Sequence, residues 1–298
     1  MIAWAYVVYK FKTTDGDIFL IFNDKNFHII PFCIVFLLMF VNWGLESFKW
    51  QKLVSCSQPI SYSKAVSGVL VGLPLALVTP NRIGELGGRA IVLKQNRKDA
   101  VFATVLGSLT QLTTTLMMGI LGIICFILFC NDNEMIQKAS YISLCLIAVL
   151  LIFVCICYNK RWFKNLLLRI FGKKYFKQLT ILQEKYGSQD LLRSLLLSIC
   201  RYIVFGSQFG ILIAMLIPEL SFVEIFIGIS LMYLFTTICP TAILGEIGIR
   251  GSVAIFVFQL FTNNASVLFQ ISLLIWLINI AIPTLVGSIL LIGVKNKE

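Results

Sequence analysis

The sequence predicts an all-α, polytopic transmembrane helical bundle with two inverted repeats, each containing a broken or re-entrant helix pair. Three observations predict it. Hydrophobic residues make up 58% of the chain and charged ones 13%, against roughly 45–50% and about 25% in soluble domains. The heptapeptide Gly84-Glu85-Leu86-Gly87-Gly88-Arg89-Ala90 recurs about 160 residues later as Gly245-Glu246-Ile247-Gly248-Ile249-Arg250-Gly251, each copy shortly after a proline, Pro80 or Pro240. The basic residues lie in short segments between apolar blocks, where they set sidedness. On this reading residues 1–298 form a single transmembrane domain. A first repeat covers about 28–158, a basic amphipathic loop 159–190, and a second repeat about 191–298.

Taken in order, residues 1–9 are apolar but too short to span, and read as the remnant of a truncated first helix. Blocks 28–48, 100–129, 139–158, 191–217 and 266–293 are each long enough to cross about 30 Å of hydrocarbon, which takes roughly 20 residues. Segments 64–93 and 222–261 differ: each is an apolar stretch, a Pro and Gly interruption carrying the Gly-Glu…Arg motif, and a second short apolar stretch. Each forms either a pair of thin crossings or a hairpin that enters and leaves on one side, and the short arms 64–79 and 84–93 favour the hairpin.

Positive charge orients these elements. Lys49, Lys52 and Lys64 precede the first hairpin and Lys94, Arg97 and Lys98 follow it, so both its ends face the cytoplasm. The acidic loop Asn131-Asp132-Asn133-Glu134 then lies outside, and the strongly basic stretch from Lys160 to Lys185 lies inside. The second hairpin begins and ends outside, and the last crossing returns to a cytoplasmic C-terminus at Lys295 and Lys297. The first hairpin therefore dips from the cytoplasm and the second from the outside, the arrangement of inverted-repeat transporters. In the loop, Lys160, Arg161, Lys164 and Arg169 interleave with Trp162, Phe163, Leu166 and Ile170, the pattern of an interfacial helix on an anionic leaflet.

The formal net charge of +11 does not point to nucleic acid, because no recognition motif accompanies it. The nine cysteines mostly lie in apolar blocks without paired CxxC or Cys/His spacing, so they read as small hydrophobes rather than metal ligands or disulfides. A single histidine, His28, excludes a His-rich metal cluster by counting. Neither a metal nor another cofactor is expected.

The repeated motif carries the candidate site. Pro80 and Pro240 interrupt a helix, while Gly84, Gly87 and Gly88, like Gly245 and Gly248, permit positive φ and close backbone approach, which makes all seven candidate hinge residues. The exposed helix ends, joined by Arg82, Arg89 and Arg250, suit an anionic phosphate, with Glu85 and Glu246 balancing charge or taking protons. The alternative is that each Glu and Arg simply neutralise one another as a clamp. Within 191–217, Arg193, Arg201 and Gln208 fall on roughly one helical face; Arg193 reads as snorkelling, Arg201 as facing the interior. The polar run Ser108, Thr110, Gln111, Thr113, Thr114 and Thr115 reads mainly as interhelical glue. Asn42, Glu46, Lys49 and Trp50 read as interfacial anchoring at the end of the first crossing.

Several of these segments together carry a family likeness. The run Thr79-Pro80-Asn81-Arg82-Ile83-Gly84-Glu85…Gly88-Arg89, the Asn42-Trp43…Glu46…Lys49-Trp50 helix end, the Arg201…Gln208 crossing and Pro240…Gly245-Glu246-Ile247-Gly248…Arg250 resemble the lysylphosphatidylglycerol synthase transmembrane, flippase-like family. The resemblance implies a polytopic fold that moves lipids, or the lipid-handling half of a larger synthase. These residues hold no soluble aminoacyl-transfer domain, so synthase activity is not carried over. The expected function is a lipid translocase of the plasma (inner) membrane, passing an anionic phospholipid or lipid-linked precursor between leaflets. Arg82, Glu85, Arg89, Arg201, Gln208, Glu246 and Arg250 are its expected binding residues. The rival readings are a membrane-embedded lipid-dependent transferase, which wants a catalytic cluster that is not evident, and an accessory subunit that recruits lipid to a synthase.

Overall fold

A computed structural model describes residues 27–79, 82–129, 185–239 and 243–295, with Ser140, Ile142, Leu146 and Ile147. The N-terminal segment 1–9, Pro80, Pro240, most of the 139–158 crossing and nearly all of the basic loop lie outside the described residues, and so do the expectations that fall on them.

Every regular element among the described residues is helical. Helix α1 (Ile29–Ser55) is followed by α2 (Tyr62–Leu77), α3 (Gly84–Ile91) and α4 (Arg97–Phe129). Then come α5 (Ser188–Leu216), α6 (Phe222–Ile238) and α7 (Ile243–Phe258). The chain closes with α8 (Ala265–Trp276), a π-helical turn at Leu277–Ala281 and α9 (Ile282–Lys295). Among the described residues, four helical stretches are long and apolar enough to cross a membrane: Ile29–Ser55, Arg97–Phe129, Ser188–Leu216 and Ala265–Gly293. They correspond to four of the five crossings read from the sequence. Helices α2 and α6 have 16 and 17 residues, about 24–26 Å at 1.5 Å per residue, short of the hydrocarbon thickness.

Local chemistry starts and stops these helices. Ser61 caps α2 by accepting a hydrogen bond from the Lys64 N–H, and Ser221 and Glu224 form a reciprocal capping box at α6. The turn between α2 and α3 is stitched by Thr79, whose hydroxyl donates back to the Leu75 carbonyl at 2.8 Å and accepts from the Gly84 N–H at 2.7 Å. That one side chain closes the end of one arm and satisfies the start of the next.

The hinge glycines work differently from the expectation. Gly84, Gly87 and Gly88 are all helical within α3, and the residue of this turn with positive φ is Arg82, at 58°; Asn96, just before α4, is another, at 52°. Gly84 and Gly88 are needed for close approach: a Cβ on Gly84 would sit 2.1 Å from the Leu75 carbonyl oxygen, and one on Gly88 would sit 2.8 Å from the Gly72 Cα. The two arms of the hairpin thus touch backbone to backbone. Gly87 has nothing within 4 Å of its would-be Cβ and serves neither purpose.

Helix α1 packs along α5, α2 lies against α1, α3 and α9, and α6 lies against α4, α5 and α7. One apolar cluster, with Phe209, Leu212, Ile213 and Phe258 at its centre, surrounds the second hairpin. Another, built on Trp50, Leu53, Val69, Leu93 and Phe102, surrounds the first. Large apolar side chains such as Leu37, Phe40, Leu128, Phe129, Leu285 and Ile289 face outward and are well exposed. An apolar exterior over polar interior groups is what a lipid solvent demands.

Candidate functional site

The site begins on α1. Asn42, Glu46 and Lys49 are spaced four and three residues apart, so they share one helical face, and all three are buried. Because α1 continues to Ser55 instead of ending near 48, these residues lie inside the helix. The anchoring expectation is therefore corrected. An interfacial anchor has its charges in water, whereas Glu46 and Lys49 are 4% and 2% exposed.

Glu46 is the hub. Its carboxylate meets Arg89 Nη2 of α3 at 2.8 Å, Arg201 Nη1 of α5 at 2.9 Å and Lys49 Nζ at 2.9 Å. One carboxylate with two oxygens can accept all three. Lys49 completes its donor set on the Gly107 carbonyl and the Ser198 hydroxyl, both at 3.3 Å. Arg201 donates through Nε to Asn42 Oδ1 at 2.9 Å, and its guanidinium stands 5.3 Å from the Trp43 ring centre. Asn42 in turn donates to Asn279 Oδ1, and the Trp43 indole N–H donates to the Asn279 carbonyl. Asn279 lies in the π-helical turn, whose wider winding departs from the regular α-helical ladder.

The two motif copies show the same internal pair. Arg89 donates through Nε and Nη2 to Glu85 Oε1, and Arg250 donates through Nε and Nη2 to Glu246 Oε1 at 3.2 and 3.0 Å. The spacing of four residues puts each Arg one turn beyond its Glu on the same face. Their surroundings differ. Arg89 is captured a second time by Glu46 and is 4% exposed, whereas the side chain of Arg250 keeps 26% of its surface open. Arg82 links the copies, with Nε 3.6 Å from Glu85 and Nη1 3.7 Å from Glu246. The hairpins therefore meet at an ion-paired cluster despite their separation in sequence.

This cluster opens on a cavity of about 350 Å³. Arg82, Glu85, Arg201 and Arg250 line it, with Glu46 and Lys49 in its wall. Arg89 and Glu246 stand behind that surface as ion-pair partners. Gln208 does not join it: its amide donates to the Val35 carbonyl at 2.8 Å in the buried α1–α5 contact. Arg193 sits at the exposed start of α5, 4.0 Å from Asp190, so the three-residue face read on this helix divides among three environments. Helix α4 divides as well. Thr110 bonds Ser194 and Ser198 and ties α4 to α5, whereas Ser108, Gln111 and Thr115, three and four residues apart, line the cavity. Trp43, Tyr202, Phe205 and Tyr233 give it an aromatic wall.

Among the described residues, five cations, Lys49, Arg82, Arg89, Arg201 and Arg250, face three carboxylates, Glu46, Glu85 and Glu246. The cluster carries a formal excess of two positive charges. Where solvent screening is reduced by partial burial, such an excess favours an anion.

Fold and site define a class: an integral membrane helical protein with a charged cavity among its apolar helices. Residues 17–287 match the family model described as lysylphosphatidylglycerol synthase TM region, and the chain belongs to that family. No curated protein and no solved structure matches the chain.

Proposed function

We propose that the protein is a lipid translocase of the plasma (inner) membrane, moving an anionic phospholipid or lipid-linked precursor between leaflets. The observation that carries this reading is the cavity, lined from both motif hairpins, which Arg82 joins, with an excess of two positive charges that comes from the first hairpin and from the Lys49–Glu46–Arg201 group of α1 and α5. Glu46 and Glu85 hold Arg89 and part of Arg201 in place. The partly open guanidinium groups of Arg82, Arg201 and Arg250, with 31%, 22% and 26% of their side-chain surface exposed, remain to take a phosphate. The aromatic and hydroxyl wall shelters the rest of the headgroup while the acyl chains stay among the outward-facing apolar side chains. A lipid-modifying synthase is a fitting partner.

In this reading the order long helix, short broken pair, long helix occurs twice, in opposite membrane orientation. The two hairpins would rock against each other around the shared cavity, as inverted repeats do in alternating access. The C-terminus then lies in the cytoplasm.

Two measurements test the proposal. In proteoliposomes, fluorescent phosphatidylglycerol should become accessible to an external quencher faster with the protein than without it. Arg201→Gln together with Arg250→Gln should reduce that rate about 100-fold, by loss of two charge-assisted contacts of roughly 1.5 kcal/mol each. Unchanged movement in a folded double variant rules the cavity out as the working site. For orientation, a single cysteine at Asn263 should label only from outside and one at Gln95 only from the cytoplasm. Labelling of both from the same face means that the repeats are not inverted.

A further inference from the structure

A second cavity, of about 200 Å³, is lined by Lys49, Lys52, Cys56, Asp190, Arg193 and Ser194 among others. Among the described residues, Lys49 is the one that lines both this cavity and the central one. Its ammonium is held on the central side by Glu46 at 2.9 Å, and by two longer contacts, each 3.3 Å, to the Gly107 carbonyl and the Ser198 hydroxyl. Should Lys49 swing away, Glu46 keeps Arg89 and Arg201, so no carboxylate is stranded. The displaced ammonium, however, needs a new anion.

The second cavity has room for one in its charge balance. Among the described residues two cations, Lys52 and Arg193, face a single carboxylate, Asp190, which lies 4.0 Å from Arg193, and Lys49 would add a third positive charge on leaving Glu46. Among the described residues Lys52 has no carboxylate partner, and its ammonium stands 5.0 Å from the Phe48 ring centre. We infer that this cavity is an anion-binding vestibule for the phosphate of the lipid headgroup, and that the Lys49 side chain is the removable partition between it and the central cavity. As the headgroup passes, the ammonium exchanges Glu46 for a phosphate oxygen. A choline headgroup is disfavoured, because its cation meets the same three positive charges. The inference deepens the lipid-handling reading above and rests on it.

The test uses the full chain in sealed proteoliposomes, with Cys56 or Ser108→Cys as the sole cysteine and a small anionic thiosulfonate as the probe. Cys56 lines the vestibule and Ser108 lines the central cavity. From the face on which Cys56 reacts, Ser108→Cys should react slowly while Lys49 is present. Lys49→Met should speed that reaction about tenfold, the effect of a partition closed by about 1.4 kcal/mol. Ser198→Ala, which removes one latch, should act in the same direction if Lys49→Met does not accumulate as folded protein. Equal rates with and without the Lys49 substitution overturn the partition.

Short-chain phosphatidylglycerol should slow modification of Cys56, whereas short-chain phosphatidylcholine should not. Lys52→Gln with Arg193→Gln should raise the phosphatidylglycerol concentration needed roughly tenfold, as expected for two partly exposed charges. Equal protection by inorganic phosphate identifies the phosphate alone, not the lipid, as the ligand. Binding of phosphatidylglycerol to the whole chain is measured alongside. If binding persists without protection of Cys56, the vestibule is overturned and the lipid-handling reading stands; if neither occurs, both fall.

Discussion

Replacing Glu46 by Gln should destabilise the protein by about 3–5 kcal/mol, the usual consequence of leaving buried charges without their partner. Three cations converge on this carboxylate from α1, α3 and α5. Arg89 retains Glu85 when Glu46 is neutralised, but Lys49 and Arg201 are left with neutral contacts only. The local excess of positive charge rises from two to three. Thermal unfolding of the detergent-solubilised chain measures the loss. Lys49→Met in the Glu46→Gln background should recover part of it, because removing both members of a buried pair is far less harmful than removing one. A double-mutant cycle that returns simple additivity would show that the hub pair does not act as a unit. Glu85→Gln should cost less, since Arg89 still has Glu46.

The second large effect is expected at Gly84. A methyl group there meets the Leu75 carbonyl oxygen at 2.1 Å, the Leu75 carbonyl carbon at 2.7 Å and the Thr79 hydroxyl at 2.7 Å. Two of these three atoms belong to the backbone, so no rotamer change relieves the clash, and Gly84→Ala must spread the hairpin. Overfilling of this kind costs on the order of 1–3 kcal/mol or more, and here it also breaks the Thr79 bond that closes the turn. The shift would pull Glu85 and Arg89 off the hub, so lipid handling should fall together with stability. Gly87→Ala, three residues further along the same helix, is the control: its Cβ meets nothing, and replacing a mid-helix glycine should be neutral or stabilising by up to about 1 kcal/mol. If both substitutions behave alike, the close approach of the two arms is not what fixes this glycine.

By itself, the sequence determined the solvent and the elements. Apolar blocks of spanning length, punctuated by basic segments, dictate membrane helices because backbone groups in lipid must be satisfied within the segment. The four spans appear where the blocks predicted them. The repeated Glu…Arg pair was also legible, since a spacing of four residues within a helix brings the two side chains together whatever surrounds them. Tertiary structure alone decided which charges share a centre. Charge near a helix end ordinarily seeks water, which makes Glu46 and Lys49 read as interfacial, yet the Glu46 carboxylate pairs with Lys49 of its own helix, Arg89 of α3 and Arg201 of α5, and α1 runs on through this ion-paired centre to Ser55. The Asn42–Glu46–Lys49 stripe was a signal that could have found the hub. Asn279 gave no such signal; it is one of two amides, with Gln270, in an apolar span, placed by a π-helical turn that has no clear sequence mark. Gln208 failed in the opposite direction, since a shared helical face fixes the direction of a side chain but not its neighbour, and Val35 was the nearest acceptor. Periodicity is a property of one helix, whereas an ion-paired cavity belongs to the distances between helices, and those are set by side chains far apart in the chain.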